Sequence, residues 1–323
     1  MSGLTFVDMC AGAGGLALGL ERAGFEPTLL LDEDKDACRT LQRNRPHWNV
    51  LRSDLLDLDP DEHPEIYDVD LLSAGLPRVR SSATAARAGS TGEEELLRAA
   101  IYLAHAVRPR ALVVENVPTL VDADAFHDFH EFARAELEHL GYDFSWFLLN
   151  AADFGVPQDR KQGLLVAIKK QWFPAFRPPA PTVREHVSVG TALAPSMRSR
   201  GWKDADRWAA QAVCVAPTLV GGSKNRGGAD LGPTGSKRKW EKLGVNAHTV
   251  GDETPGADFV WDPELGRAGL VKITVDQAAM LQGFPESWEI TGKKTARYRQ
   301  IGHASPPPVG EAIGRAVARA LRS

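Results

Sequence analysis

Two short apolar runs, Leu4 to Val7 and Leu29 to Leu31, flank DMCAGAGGLALGLERAGF in the first forty residues. Short apolar runs bounded by turn residues predict buried strands. Between them, Gly12, Gly14 and Gly15 predict a tight turn, and Leu16, Leu18, Leu20 and Ala23 give the helix that follows an apolar side for a sheet. The alternation continues with a helix around Asp36 to Asn44, a short strand at Val50 to Leu51 and an extended segment at Tyr67 to Gly75. Next come a helix from Glu93 to Val107, a strand at Ala111 to Val117, a helix from Ala125 to Leu140, and strands at Phe144 to Leu149 and Leu164 to Ile168. Strands and helices taking turns over this length predict an α/β fold, a mostly parallel sheet covered by helices on both faces. Ligands of such sheets sit at the carboxyl ends of the strands. Gly12, Asp32, Asp54, Gly75 and Glu115 fall there.

Periodicity fades after Phe173. FPAFRPPAPT reads as a proline-rich connector, and the chain beyond it is richer in Gly, Trp and basic residues. The organisation expected is a first domain over 1–175, a smaller irregular domain over 176–295, and a segment 296–323 that returns to the first and ends in a helix from Ala312 to Leu321. At 323 residues the chain suits one large domain and a smaller one. With 43% hydrophobic and 25% charged residues it can bury a sizeable core, which excludes global disorder.

The net charge of −4 excludes a molecule that is basic as a whole, so a nucleic-acid partner must be met by a local patch. Leu219 to Leu243 provides one, with six basic residues (Lys224, Arg226, Lys237, Arg238, Lys239, Lys242) against two acidic (Asp230, Glu241). Glycines interleaved with Lys and Arg suit a loop approaching a phosphate backbone, or a solvated loop. No run approaches the roughly eighteen apolar residues of a membrane span, and the start lacks a signal-peptide pattern, so a cytoplasmic, nucleoid-associated protein without membrane contact is expected. Cys10, Cys38 and Cys214 are too few and scattered for a disulfide framework or a zinc site, and no metal is expected. His127 and His130 have metal-like spacing, but Asp128 and Glu131 beside them mark an exposed charged helix face. Trp240 and Trp288 suit either stacking on bases or core packing.

A glycine turn opening a helix, followed by an acidic residue at the end of the second strand, is a nucleoside-binding arrangement. The backbone comes close to the ligand, and the carboxylate of Asp32 accepts from ribose hydroxyls.

Together these segments resemble the C5-cytosine DNA methyltransferase family, over nearly the whole chain and in one order. DMCAGAGGL looks like the S-adenosylmethionine loop, Asp32 matches the ribose-binding acid, and Asp54 in SDLLDL matches the position that contacts the adenine. Glu115-Asn116-Val117 matches the ENV motif, and FGVPQDR at Phe154 to Arg160 matches Q-x-R-x-R up to its first arginine. QIGHASPPPVGEAIG resembles the last motif, while LQGFPESW and APTLVGGSK are like the target-recognition region of a bacterial subgroup.

The resemblance implies a Rossmann-like S-adenosylmethionine-dependent methyltransferase fold with a smaller target-recognition domain. It implies S-adenosylmethionine or S-adenosylhomocysteine held by Cys10, Ala11, Gly12, Gly14, Gly15, Asp32, Asp54, Gly75 and His303. It further implies Glu115 and Arg160 at the catalytic positions, and double-stranded DNA met by Lys224, Arg226, Lys237, Arg238 and Lys239. In this chemistry a cysteine thiolate adds to C6 of a flipped cytosine, and a carboxylic acid at the ENV position holds N3 and the exocyclic amine.

The nucleophile segment departs from the pattern. Where the family has Pro-Cys followed by Phe-Ser-x-Ala-Gly, this chain reads AGLPRVRSSATAARAG, with Arg78 after Pro77. Arginine stays protonated and cannot add to C6. Gln162 stands for the second arginine of Q-x-R-x-R, and His303 for the asparagine of the last motif. The donor side is intact while the base side is altered. That favours a pseudoenzyme that binds S-adenosylmethionine and DNA, as a subunit of an active methyltransferase or a nuclease. Two alternatives stay open: an active enzyme using another nucleophile, such as Ser81 or Ser82, or a partner chain, and a methyltransferase acting on a small molecule. In every version Arg78 is expected at the mouth of a cleft between the sheet edge and the basic segment.

Overall fold

Leu4–Met9 forms β1, which is buried on both faces, as its apolar run requires. A computed structural model describes residues 3–78, 92–122, 124–221 and 228–323. After β1 come α1 (Gly15–Arg22), β2 (Phe25–Asp32), α2 (Lys35–Asn44), β3 (Val50–Arg52) and β4 (Leu71–Gly75). They are followed by α3 (Gly92–Val107), β5 (Ala111–Asn116), α4 (His127–His139), β6 (Tyr142–Asn150), β7 (Gln158–Asp159) and β8 (Lys161–Lys169). Seven strands make one sheet in the order β3-β2-β1-β4-β5-β8-β6. The pairs from β3 through β5 are parallel, whereas β8 runs antiparallel to β5.

One face of the sheet, with Met9, Leu31, Leu72, Val114 and Leu165, packs against Leu97, Ile101 and Ala104 of α3 and Phe129, Ala133 and Leu137 of α4. Each large side chain sealed there contributes roughly 1.5–3 kcal/mol. The chain's last helix packs on α1. A Cβ at Gly310 would stand 3.0 Å from the Leu16 carbonyl oxygen and one at Gly314 2.7 Å from Ala23 Cβ, so two glycines set the approach. A third glycine, Gly163 in β8, is fixed by the Val117 carbonyl, which would lie 2.4 Å from any Cβ.

The sheet and its helices form one compact unit of Met1–Leu149, Lys161–Ala180 and Val309–Ser323, and a second comprises Asn150–Arg160 and Pro181–Pro308. By contact the first unit takes in the start of the proline-rich stretch up to Ala180 and resumes at Val309, while Asn150–Arg160 goes with the second unit. That unit holds β7, α5 (Val189–Arg198), α6 (Ala205–Gln211), β9 (Ala216–Pro217), α7 (Thr234–Lys242), α8 (Val275–Leu281) and α9 (Lys294–His303). β7 and β9 pair in parallel as a two-stranded sheet. The chain then enters α10 (Pro307–Leu321), the last helix.

Several expectations are corrected. The last helix begins at Pro307 rather than Ala312, because proline's missing N–H costs nothing in a first turn. The basic segment is not all loop, since Thr234–Lys242 is helical, anchored by a fully buried Trp240. Trp288 is buried as well, so both tryptophans are core residues. His130 does not lie on an exposed charged face. Its ring stacks on Trp146 at 4.2 Å, and Nε2 lies 2.7 Å from the Leu120 carbonyl oxygen. Among the described residues no helix is long and apolar enough to cross a membrane, and no group of three His, Cys, Asp or Glu is placed to hold a metal.

Candidate active site

The turn after β1 is built on backbone geometry that side chains resist. Cys10, Gly12 and Gly14 have φ of 57°, 54° and 81°, and α1 starts without any side-chain cap. Glycine takes such values freely, while cysteine does so at a cost. Ala11 N–H donates to the Leu31 carbonyl at 2.8 Å and Gly14 N–H to the Ala11 carbonyl at 2.9 Å, which folds the loop over the end of β2. Gly15 is the buried first residue of α1.

Asp32 closes this loop. Its Oδ2 accepts from Gly12 N–H at 2.7 Å and its Oδ1 from Asp34 N–H at 2.8 Å. Burial raises the Asp32 carboxyl above its ordinary value, and the two backbone donors oppose that rise. Burial and the neighbouring carboxylates Asp32, Asp8 and Asp54 push the Cys10 thiol far up, so it is not a reactive thiolate. Asp54 accepts from Leu56 N–H at 3.0 Å and so caps a short helical turn over Leu55–Asp57.

At the ends of β4 and β5, Gly75 pairs in register with Glu115. A Cβ on Gly75 would lie 3.9 Å from both the Cys10 carbonyl oxygen and Glu115 Oε2, so the glycine loop, Gly75 and the Glu115 carboxyl meet at one edge of the sheet. Glu115 is only 7% exposed. Asn116 fixes the chain beyond Gly75: its Nδ2 donates to the Pro77 carbonyl at 3.0 Å, and its Oδ1 accepts from Val117 N–H at 2.8 Å. Leu76 is buried, and Pro77 and Arg78 are exposed. Gln162 is buried on β8. Ser81 and Ser82 lie outside the described residues, as do Lys224 and Arg226 of the basic segment.

In the second unit Arg160 is 1% exposed, with Nη1 donating to the Leu219 carbonyl at 3.0 Å and Nη2 to the His303 carbonyl at 3.5 Å. Gln158 beside it is fully buried. Its Nε2 donates to Gln282 Oε1 at 2.8 Å and to the Leu281 carbonyl at 3.1 Å, and its Oε1 accepts from Leu219 N–H at 2.8 Å. These amides and the guanidinium tie β7, the irregular chain just after β9 and the ends of α8 and α9 into one network. Gly221 belongs to it, because a Cβ there would meet His303 Cδ2 at 2.0 Å. On α7, Lys237 is paired with Asp230 at 3.0 Å, whereas Arg238 and Lys239 are exposed.

The structure thus gathers Cys10, Ala11, Gly12, Gly14, Gly15, Asp32, Gly75 and Glu115 on one sheet edge, and joins Arg160 to His303 in the second unit. Asp8, Ser73, Asn116, Gln158 and Gln282 were not anticipated. Asp8 carried a readable signal, a charge directly after an apolar run and before Met9, and Asn116 and Gln158 sat inside recognised motifs.

A family model, C-5 cytosine-specific DNA methylase, matches residues 4–319. The Type II methyltransferase M.NaeI of Lentzea aerocolonigenes is 42% identical, over 99% of this chain and 76% of the relative. The Type II methyltransferase M.NgoMIV of Neisseria gonorrhoeae is 38% identical, over 98% of each. Among solved structures, the S. pombe Dnmt2 methyltransferase shares the fold with a TM-score of 0.64 at 16% identity, covering 99% of this chain and 98% of that one.

Proposed function

The chain belongs to the C-5 cytosine-specific DNA methylase family, and from that premise we propose that it binds S-adenosylmethionine and DNA but transfers no methyl group. One observation carries the reading. Asn116 Nδ2 donates to the Pro77 carbonyl, and Asn116 follows Glu115, which pairs with Gly75; the residue after Pro77, where the family pattern has its cysteine, is Arg78. A guanidinium stays protonated and has no lone pair to offer C6 of a pyrimidine.

The residues on the donor side suit S-adenosylmethionine, which when bound supplies an electrophilic methyl group. The positive-φ glycine loop brings backbone close to a ligand at the uncapped start of α1. Each Asp32 oxygen accepts one backbone N–H and keeps a lone pair for a ribose hydroxyl. Glu115, sealed at the same edge, retains the position that would hold the N3 face of a flipped cytosine. Arg238 and Lys239 offer exposed cations to DNA phosphates. A protein of this kind would act as a partner of an active methyltransferase or of a nuclease.

A second reading, an active C5 methyltransferase, is favoured by the genetic code at the same segment. Among the synonymous codons for Arg78-Val79-Arg80-Ser81-Ser82-Ala83 are ones that, read from the third base of the Arg78 codon, spell Cys-Pro-x-Phe-Ser. Those are the cysteine and the Phe-Ser that the family pattern places after Pro77. With those codons the departure would be a displaced reading frame that follows family-like sequence up to Pro77.

Transfer of the labelled methyl group from S-adenosylmethionine to unmodified DNA, measured beside the Arg78→Cys variant, tests the first reading. No label with the unaltered chain, together with bound cofactor, is expected, and label in the DNA would overturn it. Peptide mass spectrometry of the protein from its own cells decides the second. The tryptic peptide Ser81–Arg87 excludes a recoded loop in that molecule, and a peptide containing Leu-Pro-Cys-Pro establishes one.

A further inference from the structure

Backbone strain outside glycine is concentrated in two places among the described residues. Cys10 lies in the glycine loop. The other two positive-φ residues, Asp68 (55°) and Arg108 (51°), face each other at the opposite edge of the seven-stranded sheet. Arg108 ends α3 in the left-handed conformation that glycine takes without cost, with its N–H on the Ala104 carbonyl at 3.0 Å. Keeping arginine there trades stability for a guanidinium at that point. Strain of this sort marks sites where side-chain chemistry outweighs backbone preference.

What Arg108 borders is a cavity of about 350 Å³, lined by Arg108, Arg110, Lys169, Lys170 and Trp172. It lies where β5 begins and β8 ends, a strand's length from Glu115. Two of its four cations are held in place. Arg110 lies 5.2 Å over the Trp172 ring, and its Nη1 is 2.9 Å from Asp70 Oδ1, while Asp70 Oδ2 accepts from Thr5 N–H at 2.8 Å. Lys169 Nζ donates to the Leu140 carbonyl at 2.7 Å and sits 4.0 Å over the Tyr142 ring. Burial lowers the Lys169 ammonium from its ordinary value, a cost that a bound anion would relieve. Arg108, 3.5 Å from Asp68, and Lys170 are exposed and open to a ligand. Four cations face two carboxylates, so the cavity is locally positive in a chain whose net charge is −4.

We propose that this cavity is a phosphoryl-binding site, separate from the edge that carries the glycine loop and Glu115. Two planar guanidinium forks and two ammonium groups around a small concavity match the several acceptor oxygens of a phosphate better than the two of a carboxylate. The volume sits at the lower end for small-ligand sites. The phosphoryl group is that of a free phosphate compound or of a nucleic-acid backbone, and the proposal is independent of whether methyl transfer occurs.

Orthophosphate titrated into the full chain at constant ionic strength, followed by calorimetry, tests it. The Arg108→Gly, Lys170→Ser double variant keeps a backbone suited to position 108, so its melting temperature should not fall. Saturable binding by the unaltered chain, weakened about tenfold or more in the variant, is expected, since each lost charge-assisted contact costs about that factor. An Arg39→Ser control, which removes an exposed cation elsewhere, should bind phosphate normally. Equal affinity in the double variant and the unaltered chain, or no saturable binding, would overturn the site. A short DNA duplex forms the second arm. Duplex binding that falls with phosphate binding assigns the site to a nucleic-acid backbone, and duplex binding that is unchanged assigns it to a small phosphate compound.

Discussion

Asp8 is a fully buried carboxyl two residues before the positive-φ turn, facing Ser73 across the β1–β4 pair. Ser73 Oγ donates to its Oδ1 at 2.7 Å, and Oδ2 has no hydrogen-bond partner. Burial pushes its pKa up to about 7, against 3.8 in an ordinary environment, with the Asp32 charge adding to the rise and the Ser73 bond opposing it. The sign follows from proton binding: between those two values the folded chain holds a proton that the unfolded chain has released. The contribution of Asp8 to stability therefore declines as pH rises from about 4 and is fully lost above about 7, a swing on the order of 4 kcal/mol. Asn at this position is neutral throughout and can still accept from Ser73. Unfolding free energies from urea titrations of Asp8→Asn should gain on the unaltered chain between pH 5 and pH 8, and a constant difference across that range would refute an Asp8 that titrates in the fold. An acid inside an apolar strand was visible in the sequence. Its neutral state was not, because that depends on Ser73 lying opposite in the register, and register is a property of the sheet.

Among the elements, those with a strong period were legible and those held by single anchors were not. β1, β4, β5 and β8 are largely buried and β2 is buried over Leu29–Leu31, and their apolar runs announced them. α7 was hidden, because TGSKRKWEK carries one apolar residue and its helix exists by burying Trp240. The close approach of α5 and α6 was equally invisible, since it depends on the absence of an atom. A Cβ at Gly190 would stand 2.1 Å from the Ala209 carbonyl oxygen, so the two helices must part to admit alanine. Gly190→Ala should cost about 1–3 kcal/mol despite the better helix propensity of alanine, read as a lowered urea midpoint. The start of α8 offers a contrast. Thr274 Oγ1 accepts from Gln277 N–H at 3.1 Å and Gln277 Oε1 from Thr274 N–H at 2.9 Å, a reciprocal cap. Thr274→Ala should cost about 1 kcal/mol, and Thr274→Ser should restore most of it. A serine variant as weak as alanine would place the loss in the threonine methyl rather than in the hydrogen bonds.

For the molecule as a whole, charge argues against nucleic-acid binding and local placement argues for it. A net charge of −4 gives DNA no long-range attraction, so affinity must come from cations that reach phosphates one by one. Composition supplied the patch over 219–243 but treated its cations as equal, because ion pairing is decided only when the chain folds. On α7 they differ: Lys237 is committed to Asp230, and Arg238 and Lys239 are exposed. If the proposed DNA contact uses this helix, its salt dependence should divide along the same line. Each phosphate contact contributes about 0.9 to the slope of log affinity against log salt. Arg238→Ala and Lys239→Ala should each lower the slope by about one unit and weaken binding alike on all sequences. Lys237→Ala should change the slope much less, because removing it also frees the Asp230 carboxylate, and should show chiefly as a lowered melting temperature. Fluorescence anisotropy of a labelled duplex across a salt series measures all three. Equal slopes for the three variants would mean that the Lys237–Asp230 pair opens on binding, and slopes unchanged in every variant would move the DNA contact off this helix.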